Sequence, residues 1–152
     1  MGDDEPYAPP LAPRRVVLIV DDEQPIAEAL GMIVADAGCV ALLASNGRQG
    51  LALARERLPV LVITDLMMPQ MDGAELIATL RRDAAAAGRN PPVTVLTTAA
   101  PLARAGHILA DAYLRKPFDI TEVEALLHRF LDPPGHTLSS PDHTPQTHTP
   151  ER

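Results

Sequence analysis

The sequence predicts an α/β domain built on one five-stranded parallel sheet, doubly wound with helices on both faces. Three observations predict it. Short runs of β-branched and aliphatic residues alternate with longer segments whose apolar positions recur at helical spacing. The short runs are continuously apolar, as in strands covered on both sides. Strand and helix signals succeed one another in pairs along the chain, which calls for right-handed crossovers between parallel strands.

Val16-Val17-Leu18-Ile19-Val20 opens the fold, apolar throughout and too short for a helix. Ile26, Leu30, Ile33 and Ala37 recur at helical spacing, and Gly38 supplies a C-terminal stop. Val40 to Ala44 reads as the second strand. Asn46 caps a second helix that runs to Leu58, before Pro59. Val60 to Ile63 is the third strand, and the alanine-rich Ala74 to Ala87 is the helix after it. Val93 to Leu96 is the fourth strand. The segment from Ala99 to Leu109 holds Pro101 and Gly106 and is a weak helix. A short strand falls around Tyr113-Leu114. Asp119 and Glu122 then open a last helix that carries Val123, Leu126, Leu127 and Phe130.

Composition sets the limits. The chain has 152 residues, 20 acidic and 13 basic, and a net charge of −7. One cysteine excludes an intramolecular disulfide and a cysteine-rich zinc site, and favours a reducing compartment, hence a cytoplasmic location. The acid surplus leaves no basic footprint for nucleic acid, and none is expected as a partner. No apolar run reaches the roughly 18–20 residues that span a bilayer, so no membrane partner is expected. Residues 1–14 form a proline-rich acidic arm, and residues 132–152 a tail rich in Pro, His and Thr. Both are expected to be disordered. His136, His143 and His148 are read as part of a solvated tail instead of a metal site. One folded domain, residues 15–131, is left between them.

In such a sheet ligands gather beyond the carboxyl ends of the strands. The residues expected just past those ends are Asp21, Asp22 and Glu23, then Asp65, then Thr97 and Thr98, then Lys116 and Pro117. Carboxylates held together repel one another, and a hard divalent cation such as magnesium relieves that repulsion. A carboxylate left partly free beside the cation is a nucleophile suited to a phosphoryl group. A lysine ammonium and a threonine hydroxyl then meet the phosphoryl oxygens. Asp65 stands alone at the end of the central apolar strand and is the candidate nucleophile. Asp21 and Asp22 are adjacent and suit the metal.

Four segments carry a family resemblance: VVLIVDDE at 16–23, TDLMMPQMDG at 64–73, VLT at 95–97 and YLRKPF at 113–118. Together they resemble the receiver domain of two-component response regulators, of the chemotaxis-regulator-like, stand-alone kind, over nearly all of the folded region. The resemblance implies a flavodoxin-like, receiver-type fold. It implies a phosphoryl group accepted on Asp65, and Mg2+ held by Asp21, Asp22, Asp65 and the backbone carbonyl of Met67. Asp22 is the more direct of the acidic pair. Thr97 matches the hydroxyl that moves to hold the phosphoryl group, Tyr113 the aromatic that changes rotamer with it, and Lys116 the lysine that contacts it. The Lys116–Pro117 bond is expected to be cis, and Met68, Pro69 and Gly73 to shape the loop after the nucleophile.

The expected partners are a histidine kinase or histidine phosphotransfer protein as donor, and a downstream protein as target. The chain catalyses no turnover beyond its own aspartyl phosphorylation and dephosphorylation. The residues after Leu131 are expected to be too few and too polar for an output domain. The alternative is a receiver-fold interaction module that works without phosphorylation. An aspartyl-nucleophile phosphatase wants an acid where Met67 stands, and no glycine-rich phosphate loop follows the first strand. Two departures stand out. Thr97 and Lys116 are 19 positions apart, about one helical turn short of the family norm, and the shortening falls between Ala99 and Leu109. Neither Met67 nor Ala99 can orient a hydrolytic water, so a long-lived aspartyl phosphate is expected.

Overall fold

A computed structural model describes residues 14–101 and 108–132. The expected disorder of the arm and tail, and the weak helix between Ala99 and Leu109, fall largely outside these residues. The elements are β1 (Val16–Val20), α1 (Gln24–Asp36), β2 (Val40–Ala44), α2 (Gly47–Arg57), β3 (Leu61–Asp65), α3 (Gly73–Ala86), β4 (Val93–Thr98), β5 (Ala112–Arg115) and α4 (Ile120–Leu131).

All strand pairs are parallel and the order is β2-β1-β3-β4-β5. The order reverses between β1 and β3, so the crevice above their carboxyl ends is the switch point of the sheet. Burial explains the continuous apolar runs. Val17 and Ile19 of β1 pack under α1 and α4 with Leu30, Val34, Val123 and Leu127. Leu18 and Val20 pack under α2 and α3 with Leu51, Ala54, Leu76 and Leu80. Residues 17–20 are all 0% exposed. Each such side chain contributes about 1.5–3 kcal/mol relative to exposure.

Local chemistry sets the helix ends. The Asn46 side chain accepts the Gln49 N–H at 2.8 Å. Asp119 and Glu122 form a reciprocal capping box. Gly38 takes φ +86°, a left-handed turn that closes α1. The Asp72 side chain caps α3 by accepting the Glu75 N–H at 2.8 Å, a cap the alanine-rich pattern did not reveal.

Two sequence expectations are corrected. The buried stripe of α1 is Ala27, Leu30, Gly31 and Val34, while Ile26 and Ile33 flank it half-buried and Ala37 is the exposed C-cap. A small-residue stripe lets the helix lie close to the sheet, with Gly31 facing Leu43 and Ala41 of β2. Second, β3 and β4 extend past their apolar runs. Asp65 is the last residue of β3, and Thr97 and Thr98 lie inside β4 rather than after it. Strand pairing is made by the backbone, so polar residues at a strand end stay in the ladder.

Gly73 marks a tight crossing beneath the nucleophile. A Cβ there would lie 2.3 Å from the Asp65 carbonyl oxygen and 3.0 Å from the Leu66 Cα. Alanine ordinarily stabilises a helix over glycine by about 0.5–1 kcal/mol. Here the clash is with backbone and outweighs that gain. Gly73→Ala is expected to destabilise the domain by about 1–3 kcal/mol in urea unfolding. A stabilised variant would contradict the close approach.

Candidate phosphoacceptor site

The carboxyl ends of β1 and β3 and the turn after β5 converge on one cluster. Asp21 follows β1 and is 2% exposed, and its backbone N–H donates to the Ala44 carbonyl at 3.1 Å. Its Oδ1 accepts the Glu23 N–H at 2.9 Å, and its Oδ2 accepts the Lys116 ammonium at 3.0 Å. Asp65 is 7% exposed, and its Oδ1 lies 3.4 Å from Lys116 Nζ. Asp22 is exposed beside them. One carboxylate oxygen from each of Asp21, Asp22 and Asp65 lies within 4.8 Å of the others. Asp21 and Lys116 are thus brought together from positions 95 residues apart.

The electrostatics follow from this crowding. Burial pushes the Asp65 carboxyl above the usual carboxylate range. The Lys116 charge pulls it back, and Asp21 and Asp22 push it up again. Burial alone would lower the Lys116 ammonium. The Asp21 hydrogen bond and the charges of Asp65 and Asp21 outweigh that and raise it, so Lys116 stays charged at neutral pH. The donor set is all oxygen and rich in negative charge, which fits a hard divalent cation such as magnesium.

The remaining predicted residues take different places. Thr97 pairs with Asp65 in the β3–β4 register and is 1% exposed. Among the described residues, its hydroxyl makes one long contact, 3.5 Å to the Thr64 carbonyl. Met67 is 73% exposed in the loop after Asp65, whereas Met68 is buried against the core beneath α2 and α3. Gln70 takes the left-handed φ of 70° within that loop, and the Gly73 N–H closes it on the Leu66 carbonyl at 2.9 Å. The Lys116–Pro117 bond is cis. Tyr113 is half-buried with Leu66, Ile77, Leu96, Ile108 and Ala110. Its hydroxyl donates to the Ile108 carbonyl and accepts the Ala110 N–H at 3.3 Å, so in this state it serves the segment leading into β5.

Fold and cluster together define a doubly wound α/β domain with an acidic cluster at the switch point of its parallel sheet. The family described as the response regulator receiver domain matches residues 17–128, and the chain belongs to that family. It is therefore a receiver domain of two-component signal transduction. Response regulator Rre1 of Synechocystis sp. is 35% identical over 119 residues, covering 76% of this chain and 51% of that protein. The DNA-binding response regulator MtrA of Mycobacterium tuberculosis is 33% identical over 136 residues, covering 85% of this chain and 58% of that protein. The chain thus spans about half the length of these curated relatives. Among solved structures, the Vibrio cholerae chemotaxis protein CheY4 is 26% identical with a TM-score of 0.66, covering 77% of this chain and 98% of that one. A CheY-like receiver domain from Methanospirillum hungatei has a TM-score of 0.69 at 24% identity, covering 78% of this chain and 94% of that one, and supports the fold. Among the described residues, no helix is long and apolar enough to cross a membrane.

A carboxyl whose folded pKa is raised favours folding while protonated, and that contribution is lost as pH rises through the folded value. Ionised Asp65 therefore costs stability at neutral pH without a divalent cation. In chelator, Asp65→Asn is expected to melt at higher temperature than wild type near neutral pH. The gap should close as pH falls through the carboxylate range. A variant less stable than wild type throughout would contradict this.

Proposed function

We propose that the domain accepts a phosphoryl group on Asp65 from a phosphohistidine of a histidine kinase or histidine phosphotransfer protein. The observation that carries this reading is the crowding of the buried Asp65 carboxylate against Asp21 and Asp22, offset by a single ammonium at 3.4 Å. An Asp65 carboxylate oxygen attacks phosphorus. The phosphorus–nitrogen bond breaks, the imidazole nitrogen leaves with the electron pair, and an acyl phosphate forms. Asp21, Asp22, Asp65 and the backbone carbonyl of Met67 would hold Mg2+, which when bound would neutralise charge on the phosphoryl oxygens.

Lys116 holds Asp21 in place and stands ready to pair with a phosphoryl oxygen. Arginine, which fills every other basic position in the chain, is not equivalent there. The weakly held Thr97 hydroxyl is the group free to turn toward the new phosphoryl group, and Tyr113 is the aromatic that would follow it. Output is read as a protein contact. MtrA is named as DNA-binding, but no DNA contact is assigned to this receiver domain, where residues 15–131 carry 14 acids and 11 bases. The reading places the domain in the cytoplasm beside its donor, in keeping with a lone cysteine, Cys39.

With Mg2+ and phosphoramidate, intact mass is expected to show one added phosphoryl group in wild type and none in Asp65→Asn. An unmodified wild type would favour an interaction module that works without phosphorylation. Neither the Met67 nor the Ala99 side chain can hydrogen-bond a hydrolytic water. The adduct is therefore expected to be long-lived, and Met67→Asn to shorten its half-life. An unchanged half-life in that variant would count against this account of the lifetime.

A further inference from the structure

We propose that Asp111 is a positioning residue for this site, acting from the opposite end of the sheet by fixing the register of the strand that delivers Lys116. The proposal rests on Asp65 phosphorylation as read above.

β5 has four residues and pairs with β4 alone, an edge strand that buries only Ala112 and Leu114 in the core. Yet it leads directly into Lys116. At the site end, the Lys116 N–H donates to the Thr98 carbonyl at 2.9 Å. At the far end, the backbone ladder reaches no further than Asp111. The Ala110 N–H is turned toward the Ile108 carbonyl at 3.0 Å and the Tyr113 hydroxyl at 3.3 Å.

Asp111 makes up the missing pairing. Its N–H donates to the Thr94 carbonyl at 2.9 Å. Its Oδ2 accepts both the Thr94 N–H at 2.8 Å and the Thr94 hydroxyl at 3.1 Å. A side-chain carboxylate thus stands where a longer strand would offer a backbone carbonyl. Thr94 is 0% exposed, so its donors need a partner. The Arg81 guanidinium, 4.0 Å from Asp111 Oδ2 and partly exposed, adds little. Both Thr94 bonds go to one oxygen, so an asparagine can make them and an alanine cannot.

The consequence reaches the site through the register. With Asp111 pinned to Thr94, Ala112 pairs with Val95, Leu114 with Thr97 and Arg115 with Thr98, which sets Lys116 against Asp21 and Asp65. A slip of one residue moves the strand by about 3.3 Å and exchanges its faces. Misplacement of a catalytic group by even 1 Å can cost on the order of 100-fold in rate. The carboxylates proposed to hold Mg2+ follow β1 and end β3, and the pin reaches them only through Lys116, which is bonded to Asp21.

The test compares wild type, Asp111→Ala and Asp111→Asn. Phosphorylation of Asp65 by phosphoramidate is followed by intact mass at saturating Mg2+, well below each melting temperature. Mg2+ affinity is measured separately by thermal shift. Asp111→Ala is expected to slow phosphorylation about tenfold at saturating Mg2+, and Asp111→Asn to restore most of the rate. Two results would overturn the proposal: a wild-type rate in Asp111→Ala, or an equal loss in Asp111→Asn. A wild type that takes no phosphoryl group would instead sink the phosphoacceptor reading itself.

Discussion

Three carboxylates and one ammonium share the carboxyl end of a sheet whose central strands are largely apolar, and the charges do not balance. The imbalance is tolerable only because the rest of the fold fixes it in place. Every strand of the central pair is buried on both faces, so the backbone cannot relax away from the cluster. Asp21 is tied through both oxygens, to the Glu23 N–H and to Lys116. Asp65 is left with the ammonium at 3.4 Å and a raised carboxyl. Of the two buried carboxylates, the one with fewer ties is thus the one proposed to react, and the excess negative charge is what a cation and then a phosphoryl group would reorganise.

The scaffold shows how such a cluster is made from ordinary parts. Parallel crossovers bring the ends of β1, β3, β4 and β5 to one edge. Gly73 lets α3 begin against the Asp65 carbonyl, where any side chain would collide. Caps at Asn46, Asp72 and Asp119 start three helices without help from the site. Stability and chemistry therefore sit at different places, with the core carrying the first and the strand ends the second.

Much of this was legible in the sequence. The apolar runs located all five strands, because the central strands are buried on both faces and the edge strands keep an apolar inner face. Asp21, Asp22, Asp65 and Lys116 were placed at one edge by topology alone. What the pattern missed has physical reasons. The ends of β3 and β4 were set too early because Asp65 and Thr97 pair through backbone, which hydropathy does not register. The α1 stripe was drawn off-centre because Ala27 and Gly31 share the buried face with Leu30 and Val34, leaving Ile26 and Ile33 packed at its flanks. The cap at Asp72 lay within a motif already assigned to the loop after the nucleophile. Asp111 was unread because its partner, Thr94, is 17 residues away and a lone aspartate before a strand looks like a loop residue.

The central claim is that Asp21, Asp22 and Asp65 act as one electrostatic unit that would bind a divalent cation. A Mg2+ titration of thermal stability, at constant ionic strength, tests it most directly. Binding to the folded state alone stabilises by about 2.7 kcal/mol at 100 times the dissociation constant. The account predicts a saturable rise in melting temperature for wild type that is strongly reduced in both Asp22→Asn and Asp65→Asn. No rise, or the same rise in all three proteins, would contradict it.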